Sequence, residues 1–372
     1  MNEKRDEIID VLCVTTKLCI GGVQTYLING VEPLLRNNIR LNFAVQTDDP
    51  QVFDSYVESH GCRIFHIHSL GDSRINFMRD IRSILKNNPE IRIVHSHQNF
   101  ANVYSLLAAK GLAKTISHAH NNYQPKSFLN ALLKSVFKLI VPLIADAYWA
   151  CSDESARWLY GKYAAAKECH VIKNSVSTQK FKFDKNARSR IRAEYNLVNK
   201  LVWIHVGTLS HAKNHKFLLD LFSDSLKSNP DQHLIICGDG VLREEIESQI
   251  RNLGLCNNIT LTGSKLNPQD YLSASDLLVF PSKFEGFPLS IIEAQANGIT
   301  CICSSAVPEK CMINKNAAII GRLSIPDFEE GIRRGLSIDF DRELGARNVV
   351  EAGFSVETEA KNIAKFYREV ID

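Results

Sequence analysis

Short runs rich in Val and Ile, each closed by a turn signal, alternate along this chain with longer segments of helical period. That alternation restricts the fold to strands laid parallel and joined by helical crossovers, because a parallel neighbour is reached only through a long connection. The first half offers strands at 9–16, 40–46, 63–68, 91–95, 114–118, 147–151 and 170–173, and the second at 201–207, 233–237, 259–262, 277–280, 300–304 and 318–320. Two sets imply an α/β protein of two doubly wound, Rossmann-like domains. The polar stretch 175–200, with FKFDKNARSR in its middle, interrupts the alternation and marks the boundary, giving domains 1–180 and 181–355. Val356, Ala360, Ile363, Ala364, Tyr367 and Val370 then repeat at helical spacing. Residues 356–372 therefore read as a terminal helix that needs a surface to cover, the first domain being the candidate.

The 372 residues suffice for two cores, and 45% hydrophobic with 23% charged residues is an ordinary globular balance. The net charge is +3, but residues 1–186 carry 23 Lys+Arg against 17 Asp+Glu (+6) and residues 187–372 carry 21 against 24 (−3). A basic first half suits an anionic partner, yet no run of basic residues forms a nucleic-acid footprint, so nucleic acid is excluded as a partner. The ten cysteines include several inside apolar runs such as 234–237 and 300–303, and there is no C-x-x-C. With a charged start, MNEKRDEIID, and no apolar leader behind it, the expected location is a reducing cytoplasm. Phe128, Leu129, Leu132, Leu133, Val136, Phe137 and Ile140 recur with Lys126, Lys134 and Lys138 among them. The lysines forbid a membrane span. This helix reads either as interfacial, resting on anionic lipid at the inner face of the cell membrane, or as packed on the sheet with its lysines in solvent; the packed form is preferred.

In open α/β sheets ligands bind beyond the carboxyl ends of strands, and five places there stand out. Gly21-Gly22 follows the first strand and opens a helix near Gln24, where unpaired N–H groups can meet an anion. His95, His97, His118 and His120 close two neighbouring strands, and His-x-His puts both rings on one face. They read as metal ligands or as a polar lining; with no carboxylate or Cys completing the set, the lining is preferred. The stretch Gly207 to His215 carries Lys213 into the second domain's first loop, where it can hold a diphosphate by charge. Gly238-Asp239-Gly240 reads as a turn. Finally, PSKFEGFPLSIIEAQANG puts Glu285 before a helix expected from about Pro288 and Glu293 within it, with the amides of 287–290 open to an anion.

The E-x7-E spacing from Glu285 to Glu293 is joined by Gly21-Gly22-Val23, Lys213-Asn214-His215, Gly238-Asp239-Gly240 and Leu278-Val279-Phe280-Pro281-Ser282. Over nearly its whole length the chain thereby resembles retaining GT-B glycosyltransferases of glycosyltransferase family 4, in the bacterial exopolysaccharide and capsule branch. The resemblance implies an acceptor-binding first domain facing a nucleotide-sugar-binding second domain across a cleft. It implies hexosyl transfer, with retention, from a nucleotide diphosphate sugar, expected to be a UDP-sugar, to a saccharide or polyprenyl-diphosphate-linked acceptor in cell-surface polysaccharide biosynthesis. No cofactor and no metal are expected. Residue by residue, it implies that Glu293 holds the ribose, Glu285 the transferred sugar and Lys213 the diphosphate, with the amides of Phe287 and Leu289 assisting. Gly207, Thr208, Gly238 and Gly286 would line the donor, and Gly21 and Gly22 would face donor phosphate and acceptor. His120, rather than His118, would contact the donor sugar; with Glu285 and Lys213 it makes the catalytic set. Two positions depart from the family pattern: Thr208 stands where an arginine is usual, and Pro288 replaces a common glycine and removes an N–H. The pair Asp339 and Asp341 lies away from any strand end and reads as chance. The alternatives are a catalytically silent nucleotide-sugar-binding subunit, which Thr208 keeps open, and another GT-B enzyme such as a nucleotide-sugar epimerase, against which the two glutamates argue.

Overall fold

The computed structural model describes residues 7–19, 22–120, 128–161, 169–172 and 175–372, with 128–135 as backbone alone. Two units form, one from the first 174 residues with 356–372 and one from 175–355.

In the first unit seven parallel strands, β1 (Ile9–Thr15), β2 (Ile39–Val45), β3 (Ile64–His66), β4 (Ile91–Ser96), β5 (Lys114–Ala119), β6 (Ala147–Ala150) and β7 (His170–Val171), lie in the order β3-β2-β1-β4-β5-β6-β7. Every residue of β1 is buried, as both faces of a parallel strand must be covered. Val11 and Cys13 face a cluster with Leu27 and Val31 of the helix Gly22–Leu35 and with Ala360, Ile363, Ala364 and Tyr367 of the terminal helix Val356–Ile371. Leu12 and Val14 face Phe77, Ile81 and Ala108 from the helices Arg74–Asn87 and Asn102–Ala109. The terminal helix is thus part of the first unit's core.

In the second unit six parallel strands, β8 (Leu201–Val206), β9 (Gln232–Cys237), β10 (Ile259–Gly263), β11 (Leu277–Phe280), β12 (Thr300–Ser304) and β13 (Ala317–Ile320), lie in the order β10-β9-β8-β11-β12-β13. Val202, Ile204 and Leu278 pack on one face and Trp203, Leu277 and Val279 on the other. Both sheets start in the middle and reverse direction of growth once, between β1 and β4 and between β8 and β11. Those reversals are where a doubly wound sheet opens a crevice at its carboxyl edge.

Two expectations change. The division falls at 174/175 rather than 180/181, since Val176 bridges to Ser355 and its N–H donates to the Phe354 carbonyl, both in the second unit. The polar stretch beyond it is no linker. Asp184 caps a helix, Lys185–Glu194, by accepting from the amides of Asn186 and Ala187. Arg188 and Arg192 of that helix reach the two carboxylate oxygens of Asp276 at 2.6 and 2.5 Å, and Arg192 also donates to the Ala274 carbonyl at 2.7 Å. The helix Phe128–Ile144 is packed on the first unit, as the preferred reading has it, with part of its apolar face left uncovered. Phe137, Ile140 and Val141 pack inward, whereas Val136, Leu139 and Leu143 stand exposed, and Lys138 lies over the Trp158 ring at 4.9 Å. No helix among the described residues is long and apolar enough to cross a membrane.

Removing the carboxylate that two arginines share leaves their charge uncompensated in a largely buried place. Asp276→Ala is therefore expected to cost the second unit about 3–5 kcal/mol, read as an earlier midpoint in its urea transition.

Candidate functional site

The second unit's reversal point carries the most chemistry. Lys213, on the loop after β8, sends its Nζ to Oε1 of Glu285, on the loop after β11, at 2.7 Å. The two side chains are only 17% and 9% exposed. The ammonium also lies 4.6 Å from the centroid of the Phe280 ring. The loops that bear the pair are zipped together: Lys283 N–H donates to the Ala212 carbonyl at 2.8 Å, and the Asn214 side chain to the Pro281 carbonyl at 3.2 Å. His205, in β8, donates from Nδ1 to the Val279 carbonyl; burial, with His215 and Lys213 beside it, lowers its pKa well below the usual imidazole value despite that bond, so the imidazole is neutral. His215 is buried beside it, ring centroids 4.8 Å apart, with its pKa lowered to about 4 by burial and then by the Lys213 charge.

Backbone-to-backbone contact explains the glycines here. A Cβ on Gly238 would sit 1.9 Å from the Gly207 carbonyl oxygen, and one on Gly240 2.5 Å from that of Leu209. A Cβ on Gly207 would meet Lys213 Cε at 3.2 Å. Gly207 thus seats the lysine stem, and Gly238 lets the β9 turn close on Gly207. Thr208 is exposed, and Gly286 borders open space.

The helix after Glu285 runs Leu289–Ala296, beginning one residue later than expected because Pro288 takes an extended N-cap conformation. No side chain caps it and no acidic residue occupies its first turn, so the leading amides remain open to an anion. Phe287 instead packs on the Phe354 ring at 5.4 Å. Glu293 is buried within this helix, and burial raises its pKa to about 7 against the opposing pull of the Lys180 ammonium. Lys180 sits on the short helix Thr178–Phe181, which Asn297 fastens by donating to the Phe181 carbonyl at 3.1 Å. Gln295 ties the same helix to the 311–314 segment, donating to the Cys311 carbonyl at 2.6 Å and accepting from the amides of Ile313 and Asn314.

In the first unit His95, His97, His118 and His120 form a square of rings on one sheet face, with centroids 4.0 Å apart within each pair and 5.0–5.2 Å across. His97 Nδ1 and His120 Nε2 share a hydrogen bond of 2.8 Å, and Asn99 accepts from the His120 amide. Burial lowers the pKa of all four, that of His120 to about 3, so each imidazole is neutral. Gly22 opens the helix Gly22–Leu35, and among the described residues nothing lies within 4 Å of a Cβ placed there; Gly21 lies outside the described residues.

Of the residues expected at the site, Lys213, Glu285, Gly207 and Gly238 meet directly, while Glu293 faces Lys180 instead. Lys180, His205 and Cys13 are not singled out by the sequence. Lys180 lies in the polar stretch that marks the boundary, and Cys13 and His205 lie inside strands, where their types read as core.

Residues 187–346 match the family model for glycosyl transferases group 1, and residues 20–180 that for Glycosyltransferase Family 4. EpsF of Bacillus subtilis (strain 168) is 28% identical over 334 residues, covering 88% of this chain and 86% of its own. The UDP-Gal:alpha-D-GlcNAc-diphosphoundecaprenol alpha-1,3-galactosyltransferase of Escherichia coli is 23% identical, covering 95% of each. Among solved structures, that of Anabaena Alr3699/HepE in complex with UDP-glucose superposes with a TM-score of 0.76 at 18% identity, over 97% of this chain and 99% of that one.

Gly238→Ala is expected to destabilise the second unit by about 2–4 kcal/mol, since the loops must part, seen in the same urea transition. Glu293 has a folded pKa above its unfolded value of 4.5, so the native state holds the extra proton between 4.5 and about 7. Stability is lost as pH rises through that window, by up to about 3 kcal/mol. Glu293→Gln should remove this slope and make the protein more stable than wild type at pH 8, by denaturation at pH 5 and pH 8.

Proposed function

The chain belongs to glycosyltransferase family 4 and is a glycosyltransferase of the GT-B fold, and from that premise we propose the donor, acceptor, stereochemistry and residue roles. It transfers a hexosyl group, with retention, from a UDP-sugar to a saccharide or polyprenyl-diphosphate-linked acceptor in the building of cell-surface polysaccharide. The observation that carries this reading is the 2.7 Å pair of Lys213 and Glu285 at the second unit's reversal point. A largely buried ammonium needs an anionic partner, and Glu285 supplies it until a diphosphate arrives. Lys213 then turns to the phosphate and frees Glu285 to accept hydrogen bonds from hydroxyls of the transferred sugar.

As the bond between the anomeric carbon and the diphosphate oxygen breaks, negative charge grows on the leaving group while the sugar becomes oxocarbenium-like. Lys213 and the open amides at Leu289 and Ser290 are fixed in place before that charge appears, which is how preorganised donors lower a barrier. The acceptor hydroxyl attacks from the face the diphosphate leaves, and its proton passes to the departing phosphate oxygen. Glu293, ionised, accepts from the ribose diol. Gly207, Thr208, Gly238 and Gly286 line the donor, with Phe287 reduced to a packing role. His120 meets the transferred sugar, and Gly21 and Gly22 serve donor phosphate and acceptor. Transfer needs no metal and no cofactor, because the chain's own groups take up the charge. The missing arginine at Thr208 makes Lys213 the principal cation.

The protein works in the cytoplasm, at the inner face of the cell membrane. Support comes from the exposed stripe Val136, Leu139 and Leu143 and from a hollow of about 750 Å³ that brings Arg92, Lys110 and Lys114 beside Leu143 and Ile371. Apolar side chains fringed by cations suit an anionic lipid surface.

Release of nucleoside diphosphate from a panel of donors tests the assignment. Lys213→Ala and Glu285→Ala should each lower the rate by roughly a hundredfold or more. Binding of UDP-sugars without turnover by any donor and acceptor pair would instead make the chain a silent donor-binding subunit. The wild-type rate should climb as pH rises through about 7, where Glu293 ionises. Leu139→Glu with Leu143→Glu should abolish co-sedimentation with anionic liposomes at low salt and spare UDP binding.

A further inference from the structure

The histidine face of the first unit has more ligand capacity than sugar recognition uses. β4 presents His95 and, one residue past its end, His97; β5 presents His118 and, one past its end, His120. The register aligns Ser96 with Ser117, so His97 and His118 come side by side. Ring nitrogens of His97, His118 and His120 lie within 4.8 Å of one another. An outer layer orients one of them: the Tyr367 hydroxyl pairs with His95 Nδ1 at 2.7 Å, and His95 Nε2 with His118 Nδ1 at 3.1 Å. The chain ends on His118 Nε2, which like His97 Nε2 is buried without a partner among the described residues.

We propose that His97, His118 and His120 bind one divalent transition-metal ion of the zinc, cobalt, nickel and copper class. Three neutral imidazoles from neighbouring strands supply three donors and leave a fourth position open to water. The absence of carboxylates from the set disfavours magnesium, calcium and manganese, which take oxygen ligands. Hydrogen bonding from a second layer, here His95 held by Tyr367, is what fixes a ligating imidazole's tautomer and orientation. The sequence reading set a metal aside for want of a carboxylate or Cys, but three imidazoles suffice. The ion is no cofactor of the transfer. It occupies His120, so its binding slows sugar transfer; that consequence rests on the proposed function, while the binding itself does not.

The full-length protein, stripped with a chelator, is loaded with Co2+ and dialysed, and bound metal is measured together with the visible absorption spectrum. One ion per chain with a low-coordinate Co2+ spectrum, displaced by Zn2+, is expected. His118→Gln and His120→Gln should each weaken binding by a hundredfold or more, and Tyr367→Phe by about tenfold, with circular dichroism unchanged. His120 is partly exposed, so its variant carries the test should His118→Gln fail to fold. No retained ion, or equal retention in both histidine variants, overturns the proposal. Cys13, His95 and His97 form a second trio within the same limit. Loss of the ion in Cys13→Ser with retention in His120→Gln would move it there and overturn the ligand set. Inhibition of transfer by Zn2+, reversed by chelator, is the expected companion result; stoichiometric binding without inhibition would count against the role given to His120 and leave the metal site standing.

Discussion

A strand in a parallel sheet is reached only through a crossover, and every crossover leaves from the same edge. All carboxyl ends in each unit therefore discharge their loops side by side, and at the reversal between β8 and β11 two loops are driven together with no helix between them. Beside that pair, the turn after β9 lies so close to the β8 loop that it tolerates no side chain at Gly238 or Gly240. What emerges is a rigid seat for one ammonium, Lys213, above the Phe280 ring and against the carboxylate of Glu285. The same constraint in the first unit gathers four imidazoles at the ends of β4 and β5.

Charge inside this protein is distributed by the cost of desolvating it. Asp276 satisfies Arg188 and Arg192; Arg192 further donates to the carbonyls of Ala274, Leu197, Val198 and Lys200, and Arg342 to those of Leu272, Ser275 and Asn297. That network ties the helix Lys185–Glu194 to the segment 272–276 that leads into β11. Glu293 is treated differently: it is buried with a cation nearby and with its proton held up to about pH 7, a condition that costs stability in the neutral range. Retaining such a group makes sense where a bound ligand repays the cost, and the open amides of its helix lie on the same element.

Most of the architecture was legible because parallel strands buried on both faces must be almost wholly apolar, which leaves runs such as IDVLCVT and LVWIHV in plain view. Helix ends were harder. Pro288 could equally have been a first helical residue or a cap, and only its ψ of 103° decides for the cap. The stretch around FKFDKNARSR reads as a domain boundary since its polarity is real; Arg188 and Arg192 turn inward to Asp276, a residue far along the chain that local pattern does not reveal. The helix Phe128–Ile144 showed its apolar periodicity but not which of its residues would remain uncovered.

By itself the sequence determined the class of fold, the winding of both sheets and the identity of the groups able to do chemistry, since apolar period and turn residues are local properties, Glu285, Lys213 and the histidines stand at strand ends, and Glu293 lies in the helix that follows one. Tertiary structure alone decided their partners. That Lys213 meets Glu285, that Lys180 answers Glu293, and that Cys13 and Tyr367 join the histidine face depend on contacts between segments distant in the chain. Burial, which is set only when those segments pack, then decides which of the groups keep a proton.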